Sequence, residues 1–257
     1  MQLKILGCNG GIGGINRRTT CYRINDSILI DAGTGLGDLD LDELALIDHV
    51  VLTHAHWDHI SCLPLLPDAV FSERKKPIKV WALPEVIKIL KVNVFNDQVW
   101  PDFTKIPIIG GNEPIVDLKP LPEKDSIHID GVEVSKLPAN HGIPACGLRV
   151  EKGGKAVAFS GDTADDEVFW KKISADHAIK AVVVECSYPK SLTDLGKMTL
   201  HLSTDIISTR LARIPKNIAR IIIHRKPGYE GIIDTELRED LGHLDLRFPI
   251  PGQEYQF

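Results

Sequence analysis

The chain has 257 residues, of which 43% are hydrophobic and 25% are charged. This composition supports an ordinary globular core, and the length fits one large domain or two small ones. No stretch approaches the roughly 18 consecutive apolar residues of a membrane-spanning helix. The net charge of −5 argues against a general nucleic-acid binder, which needs a basic surface. A small anionic substrate is compatible with this charge, because a bound metal can dominate the local field.

The cysteines indicate neither a disulfide framework nor a cysteine-rich zinc finger. Their number is odd and no two form a CxxC pair; they are Cys8, Cys21, Cys62, Cys146 and Cys186. We therefore expect reduced and mostly buried thiols. The first residues, MQLKILGCNGG, lack the charged and apolar regions of a secretory leader, so we expect a cytoplasmic protein that does not contact a membrane.

The first half of the chain is typical of short strands separated by turns. Apolar or alternating runs predict strands at 3–6, 20–24, 27–33, 49–54 and 78–83. A short helix with proline in its first turn follows at 84–92. The glycine-rich stretch 7–20 is either a plain hairpin turn or an anion-binding loop from which Arg17 or Arg18 reaches a phosphate.

Residues 95–125 have no clear periodicity. They contain the run FNDQVWPDFTKIPIIGGNEP, with three prolines and a Gly-Gly pair. We predict a long ordered loop that acts as a lid or as a dimer contact. Its aromatic residues, Phe95, Trp100 and Phe103, either stack on a base of a ligand or pack the loop onto the body of the protein or onto a partner subunit.

The second half of the chain alternates strands and helices. Strands are predicted at 132–137, 147–151, 155–161, 178–186 and 219–224. One helix is predicted at 203–214 with Ser203 as its N-cap, and another at 234–242 with Asp234 as its cap and Gly242 at its end. Two packed sheets with helices outside would account for this order, although periodicity alone does not separate that arrangement from other α/β or α+β folds. We find no internal repeat or linker and expect a single domain over 1–257.

A dense group of potential metal ligands follows the strand at 49–54. The run VLTHAHWDHI places His54, His56, Asp58 and His59 within six positions. Histidines at i and i+2 cannot share one face of a helix, but they can converge on a loop that leaves a strand. Imidazole and carboxylate are ligands for zinc, iron and manganese. We therefore interpret the run as a metal-binding motif rather than as a solvated, histidine-rich loop.

Three further candidates each follow an apolar strand: His141 in LPANHG, Asp162 in FSGDT, and His224 after ARIII. Each alone is equally compatible with a hydrogen-bonded structural role. Strand ends on one side of a sandwich lie along one rim, so we expect the three side chains to join the HxHxDH motif in one cluster.

These motifs, in this order, resemble the metallo-β-lactamase-fold hydrolases over most of the chain, from ILIDAG to His224. The resemblance implies a four-layer αββα sandwich and a site for two divalent metal ions, with zinc expected and manganese or iron as alternatives. It implies that Asp162 bridges the two ions and that Asp31 orients the histidine loop. The remaining implied ligands are His54, His56 and His141 for the first ion, and Asp58, His59 and His224 for the second.

Several shorter motifs resemble the class II 3′,5′-cyclic-nucleotide phosphodiesterases more closely than the related ribonuclease Z group. They are HAHWDHIS, VFNDQVWPDF, CSYPK at 186–190, HLST at 201–204 and HRKP at 224–227. The resemblance implies a small-molecule cyclic nucleotide as substrate, no stable nucleic-acid partner, and a homodimer. Three positions depart from the pattern: Trp57 replaces leucine, Cys62 replaces glycine, and Thr199-Leu200 replaces Ser-Gly. The ligands are retained, but Trp57 adds bulk beside the site and so affects substrate preference.

His201 is the candidate general acid. It precedes a predicted helix N-terminus, where backbone N–H groups favour an anion, and an imidazole suits protonation of a leaving ribose oxygen. Glu185 would hold and polarise it, and Asp58 is placed among the catalytic residues as well as the ligands. Alternatively, His201 is a surface residue beside a helix.

Two other functions stay open at this point. One is a ribonuclease Z-like RNA phosphodiesterase, which would need a basic arm that the apolar, proline-rich segment 95–125 does not provide. The other is a non-catalytic cyclic-nucleotide-binding protein. The complete set of seven potential ligands argues against this second function.

Overall fold

The computed structural model describes all of residues 1–257. The first half of the chain forms most of a seven-stranded sheet. Its first three strands pair antiparallel, and the next three continue it in parallel. In chain order they are β1 (Gln2–Gly7), β2 (Cys21–Ile24), β3 (Ile28–Ile30), β4 (His49–Val51), β5 (Ile78–Ala82) and β6 (Val116–Pro120).

A second seven-stranded sheet follows, in the order β13-β12-β11-β10-β9-β8-β7. Its strands are β7 (Ile127–Ile129), β8 (Val132–Leu137), β9 (Gly147–Lys152), β10 (Lys155–Phe159), β11 (Ile179–Glu185), β12 (Ala219–Ile223) and β13 (Leu246–Arg247). Strands β7 to β10 pair antiparallel, and β10 to β13 pair in parallel. The last strand, β14 (Glu254–Gln256), returns to the first sheet and pairs with β1.

Eight α-helices connect or cover the strands. They are α1 (Leu41–Ala45), α2 (Trp57–Ile60), α3 (Leu65–Ala69), α4 (Pro84–Asn93), α5 (Glu167–Ala175), α6 (Thr193–Thr199), α7 (Thr204–Leu211) and α8 (Glu230–Leu241). No helix combines the length and the apolar character that a membrane crossing would require.

Three apolar cores explain the layering. Successive residues of a strand point to opposite faces, and in β11 this sends Val183 into the core between the sheets and Val182 and Val184 into the core under the outer helices. The equivalent outer core of the first sheet joins β3, β4 and β5 to α3 and α4. Because each sheet buries both faces, the chain forms the αββα sandwich that the motifs predict.

Two expectations from the sequence are wrong. The segment 95–125 is not a continuous loop, because β6 occupies its later part and forms the edge of the first sheet. The last helix begins at Glu230, not at Asp234, and the Asp234 carboxylate accepts two hydrogen bonds from Arg225 instead of capping the helix. The carboxylate of Asp234, within the helix, thus serves an ion pair, so an acidic residue ahead of an apolar run does not by itself identify a cap.

The aromatic residues of the segment 95–125 pack against the body of the protein. Phe95 and Phe103 are only 1% and 4% exposed and belong to the core outside the first sheet, and Trp100 packs against the same core. Burial on this scale leaves the two phenylalanines unavailable for stacking on a base. Roles of this segment as a lid or a dimer contact stay predictions.

Candidate metal centre

The candidate ligands lie where strands end. Parallel strands bring their carboxyl ends to one edge of a sheet, and such edges are where open α/β sheets bind ligands. In the first sheet Asp31 follows β3 and His54 follows β4; in the second sheet Asp162 follows β10 and His224 follows β12. His141 follows β8, which runs in the same direction as β10 because both pair antiparallel with β9.

The first group of ligand atoms comes from His54, His56, His141 and Asp162, and these atoms all lie within 4.8 Å of one another. His141 Nε2 is 3.2 Å from His56 Nδ1, and His54 Nε2 is 3.7 Å from Asp162 Oδ2. Three nitrogens and one carboxylate oxygen at these separations can surround one divalent ion.

The second group contains Asp58, His59, Asp162 and His224, within the same limit of 4.8 Å. His224 Nε2 is 3.1 Å from both Asp58 Oδ2 and Asp162 Oδ2, and His59 Nε2 is 3.3 Å from Asp162 Oδ1. Asp162 belongs to both groups, which is the position that the family resemblance implies for a bridging carboxylate.

The two histidines nearest the first sheet are oriented through Asp31. Its Oδ2 lies 2.7 Å from His59 Nδ1 and accepts a 2.8 Å hydrogen bond from the Thr53 hydroxyl. That hydroxyl in turn lies 3.0 Å from His54 Nδ1. With Thr53 donating to Asp31, both imidazoles donate their Nδ1–H outwards, and their Nε2 lone pairs face the cluster. Outer partners of this kind commonly orient metal-ligating histidines.

The two histidines on the second sheet are oriented in the same way. His141 Nδ1 lies 3.2 Å from the carbonyl oxygen of Leu200, and His224 Nδ1 lies 3.0 Å from the Ser187 hydroxyl. Ser187 donates onward to Glu185 at 2.8 Å, so its oxygen is free to accept from His224. Both rings therefore also turn Nε2 towards the cluster.

Three buried atoms of the cluster lack any hydrogen-bond partner: His54 Nε2, His59 Nε2 and Asp162 Oδ1. Buried polar atoms are nearly always satisfied, so such a set requires an explanation. Burial lowers the pKa of His54, which keeps its ring neutral. Burial opposes the charge on Asp162, but the imidazoles of His224 and His59 hold the pKa of its carboxyl well below the usual range. Imidazole nitrogens around a carboxylate are the donor set of a divalent metal ion, so these residues fit such ions.

His201 stands beside both groups. Its ring is stacked on His224 at a centroid distance of 5.3 Å and lies 5.1 Å from His141. His201 Nδ1 is 2.9 Å from Glu185 Oε1. Burial of the ring works against protonation, but the Glu185 carboxylate outweighs it and raises the pKa of His201 above its ordinary value. Only 8% of His201 is exposed, which excludes its interpretation as a surface residue beside a helix.

Glu185 links several parts of this region, although it ends an apolar strand and is 0% exposed. Its Oε1 accepts a 2.7 Å hydrogen bond from the Thr163 backbone N–H, next to Asp162. Its Oε2 accepts hydrogen bonds from Ser187 and from the backbone N–H of Leu202. One carboxylate therefore fixes His201 and the loops that carry Asp162 and His224.

The backbone of the cluster contains features that motif analysis missed. Asp31, Leu200 and His224 have φ values of 55°, 57° and 59°, in the left-handed region that L-residues rarely adopt. Two further positions have no room for a side chain. A Cβ at Gly33 would lie 2.2 Å from the carbonyl oxygen of Asp58, and a Cβ at Gly10 would lie 2.5 Å from the carbonyl oxygen of His224. The LIDAG and GCNGG motifs contain these glycines, but only the folded structure shows that each one leaves room for a backbone carbonyl group of a distant residue.

The glycine-rich stretch 7–20 forms a hairpin connection between β1 and β2. Arg18 makes an ion pair with Asp38 at 2.8 Å, and Arg17 makes one with Glu230. Both guanidinium groups are thus already neutralised, which favours the plain hairpin over the anion-binding loop.

An αββα sandwich with histidines and aspartates gathered at its strand ends defines the metallo-β-lactamase fold class. Residues 26–209 match the family described as the beta-lactamase superfamily domain, and the chain belongs to that family. The crystal structure of the metallo-beta-lactamase fold protein YhfI from Bacillus subtilis superposes with a TM-score of 0.77 at 16% identity, covering 99% of this chain and 98% of that one. Unliganded yeast PDE1 superposes with a TM-score of 0.75 at 22% identity, covering 96% of each chain.

Two sequence relatives cover most of the chain. One is 3′,5′-cyclic-nucleotide phosphodiesterase 1 of Saccharomyces cerevisiae, which is 29% identical over 226 residues, covering 77% of this chain and 58% of that protein. The other is a probable 3′,5′-cyclic-nucleotide phosphodiesterase of Yersinia pestis, which is 25% identical over 208 residues, covering 72% of this chain and 58% of that protein. The chain therefore spans less than two thirds of the length of these relatives.

Proposed function

We propose that the protein is a dinuclear-metal phosphodiesterase that hydrolyses 3′,5′-cyclic nucleotides to nucleoside 5′-monophosphates. The observation that carries this proposal is the placement of His201, held by Glu185 at 2.9 Å, directly beside both groups of potential ligands. A phosphodiester bound there would have a fixed proton donor next to its leaving oxygen. The similarity to two relatives named as cyclic-nucleotide phosphodiesterases supports the choice of substrate.

Two divalent ions are proposed, with zinc expected and manganese or iron as alternatives. His54, His56 and His141 would hold the first ion, Asp58, His59 and His224 the second, and Asp162 would contact both. When bound, such ions supply positive charge for the phosphate oxygens and lower the pKa of water towards about 7.

The proposed role of His201 follows from its hydrogen bond. Nδ1 donates to Glu185, so Nε2 is the atom available to a ligand. In a 3′,5′-cyclic nucleotide the bond between phosphorus and O3′ breaks to give the 5′-monophosphate. Nε2–H would donate its proton to O3′ as that bond breaks, which is general acid catalysis. Because Glu185 is buried and accepts three further hydrogen bonds, it prevents the ring from rotating away.

Asp58 is proposed to act in catalysis as well as in metal binding. Its side chain is 24% exposed, whereas that of Asp162 is 2% exposed. It is therefore the carboxylate of the cluster that water can reach. We propose that it accepts a hydrogen bond from the attacking water and so orients it opposite the leaving oxygen.

The test is product formation from the cyclic nucleotides of adenine, guanine, cytosine and uracil, with purified protein and added zinc or manganese. Phosphorus NMR distinguishes 5′- from 3′-monophosphate products. The expected result is metal-dependent formation of 5′-monophosphate from at least one substrate. No turnover of any of the four, in protein shown to contain two metal ions, would overturn the proposed function.

A second candidate is RNA cleavage, because the ribonuclease Z of Staphylococcus carnosus is 28% identical over 162 residues, covering 59% of this chain and 49% of that protein. The chain carries 35 acidic and 30 basic residues. This net negative charge disfavours the binding of a long RNA, because the RNA backbone is also negatively charged. Incubation with pre-tRNA is the second arm of the same experiment. Cleavage of pre-tRNA with cyclic nucleotides untouched would favour RNA cleavage, and tight cyclic-nucleotide binding without product would favour a non-catalytic binding protein.

A further inference from the structure

We propose that Trp57 forms the nucleobase subsite of this enzyme, in a cleft that adjoins the metal cluster. Trp57 stands between His56 and Asp58, at the first position of α2. It is 57% exposed, although indole rings are usually well buried. Both of its chain neighbours belong to the proposed ligand set, so metal binding would also fix the backbone that carries the ring.

The cleft beside this ring has the size of a small-molecule site. Its volume is about 380 Å³, and ligand pockets usually occupy roughly 300–1,000 Å³. Trp57 and Ile12 are its apolar lining residues, and Ile12 is 70% exposed. Asp58 also lines the cleft, and its carboxylate belongs to the second group of potential ligands. The cleft is therefore continuous with the place where the phosphate would bind.

The charges around the cleft indicate an uncharged occupant. Asp58 is its only charged lining residue. Arg17 and Arg18 line the adjoining depression, but they are paired with Glu230 and Asp38. Neither surface is therefore lined by an unpaired cation that could bind a second phosphate. A flat, uncharged group attached to a phosphodiester fits this environment, and in a cyclic nucleotide that group is the base.

The segment 95–125 strengthens this assignment. Phe95 and Phe103 are buried in the core, so they do not compete for the base. Trp57, by contrast, is a large aromatic residue that is exposed and adjacent to the cluster. Every nucleobase presents a π-face to such a ring, so stacking would give affinity for bases in general and only a modest preference among them.

This inference rests on the proposed function, because it takes the product nucleotide as its probe. The experiment measures dissociation constants of AMP and ribose 5-phosphate for zinc-loaded protein by calorimetry, in the wild type, Trp57→Ala, Trp57→Phe and Val168→Ala. Val168 is an exposed apolar residue on α5 and provides the matched control. Metal content and oligomeric state are measured for each protein.

The wild type and Val168→Ala should bind AMP at least about tenfold more tightly than ribose 5-phosphate, because stacking of one base on an aromatic ring contributes affinity of this size. In Trp57→Ala the preference for AMP over ribose 5-phosphate should fall to about threefold or less, while the affinity for ribose 5-phosphate stays unchanged. Trp57→Phe should retain most of the preference, because phenylalanine also presents a ring for stacking. An unchanged ratio in Trp57→Ala would overturn the subsite. A change in oligomeric state with no change in the ratio would also overturn it and would indicate that a second copy of the chain covers Trp57.

The two proposals fail separately. If no cyclic nucleotide is hydrolysed but Trp57→Ala abolishes the preference for AMP, the subsite stands and the proposed reaction falls. If cyclic nucleotides are hydrolysed and Trp57→Ala binds AMP normally, the reaction stands and the subsite falls.

Discussion

The imidazole of His201 and the carboxylate of Glu185 form a 2.9 Å hydrogen bond between Nδ1 and Oε1, beside the cluster of candidate metal ligands. Neither residue belongs to the HxHxDH motif, and 16 positions separate them in the chain. Because Nδ1 is occupied by this hydrogen bond, Nε2 is the ring nitrogen of His201 that is available to a ligand. The proposed role of His201 as general acid can therefore be tested by substitution.

Replacing His201 with alanine should lower kcat for a cyclic nucleotide by roughly a hundredfold or more, the usual loss when a general acid is removed. The two proposed metal ions should be retained, because His201 is not among the seven ligands proposed for them. Steady-state kinetics and elemental analysis check both parts. The control is His243→Ala, since His243 is exposed and outside the cluster. Unchanged turnover in His201→Ala would remove His201 from the reaction.

Asp162→Asn tests the bridging position. A neutral amide would replace the only carboxylate shared by both groups of ligand atoms, so the protein should bind fewer than two ions and lose most of its activity. Elemental analysis after dialysis against zinc gives the stoichiometry. A full complement of two ions in Asp162→Asn would show that Asp162 does not bridge them.

Removing metal from the wild type should lower its thermal stability. Ligands that bind only the native state stabilise it, by about 2.7 kcal/mol when the free ligand is at 100 times its Kd. Chelation would also leave His54 Nε2, His59 Nε2 and Asp162 Oδ1 buried without partners. Thermal unfolding with and without a chelator measures the difference, and zinc added back in excess should restore the original Tm. Identical transitions would contradict metal binding at this cluster.

Leu200 tests the backbone geometry that supports His141. It is the C-cap that follows α6, with φ at 57°, and its carbonyl oxygen accepts the hydrogen bond from His141 Nδ1. A side chain in this conformation costs roughly 1–2 kcal/mol that glycine avoids. Leu200→Gly should therefore be more stable than Leu200→Ala by about 1 kcal/mol. Both variants lose the leucine side chain, so their difference in urea denaturation isolates the backbone.

The relative stability of the glycine and alanine variants should reverse inside a helix. At Lys88, an exposed residue within α4, alanine should be more stable than glycine by about 1 kcal/mol. If alanine were also the better residue at 200, the left-handed conformation would not be a source of strain.

The sequence predicts the regular parts of this fold because they depend on local periodicity. The strand 132–137 and the helix at 84–92 agree with β8 and α4 to within one residue. Strands such as 49–54 end earlier than predicted, at Val51, because Leu52 and Thr53 belong to the loop that carries His54. The β6 strand was missed because prolines surround it, and its place at the edge of the sheet allows Pro120 to lie within it.

The candidate site is predictable where each residue is part of a motif. It is less predictable where contacts between distant segments determine the position or exposure of a side chain. The seven proposed ligands follow from side-chain type and strand position, and the structure brings all seven together. In contrast, the exposure of Trp57 and the burial of Phe95 depend on how distant segments pack. Hydrogen bonds also link His224 to Ser187, 37 positions away, and Ser187 to Glu185, 2 positions away. No local sequence pattern specifies this chain of hydrogen bonds.

Asp176 gives a pH-dependent test outside the cluster. Burial opposes its ionisation, but the hydrogen bond from Arg149 Nε at 2.6 Å outweighs this and lowers the pKa of Asp176. A depressed pKa in the folded state contributes stability that is present above the unfolded value of about 3.9 and is lost as the pH falls through the folded value. Asp176→Asn should therefore cost up to about 1 kcal/mol at pH 7, since the pair is partly solvated.

The cost should begin to shrink below about pH 3.9, where the unfolded chain takes up the proton, and should approach zero once the pH is below the lower pKa of the folded state. Urea denaturation at several pH values measures this trend, with Asp26→Asn as the control because Asp26 is exposed. A cost that stays constant with pH would mean that charge on Asp176 does not contribute to stability.

Arg220 is the largest fully buried side chain, and we predict that it contributes strongly to the stability of the fold. Its guanidinium donates to backbone carbonyl oxygens in the last turn of α7 and in the loop after it, those of Leu211, Ile214, Pro215, Lys216 and Ile218. Carbonyls at a helix C-terminus and in a buried turn need donors, and this one residue supplies them. Arg220→Met would match the length of the aliphatic stem and leave the carbonyls unsatisfied.

We expect Arg220→Met to lose about 3–5 kcal/mol of unfolding free energy, because each buried carbonyl left without a donor costs about 1–3 kcal/mol. Arg220→Lys should recover only part of this loss, because an ammonium has three donors where the guanidinium has five. Arg213→Met is the control, since Arg213 is exposed in the same turn, and such surface changes usually stay within about 0.5 kcal/mol. Equal stability of Arg220→Met and Arg213→Met in urea would show that the buried guanidinium is not needed to satisfy this turn.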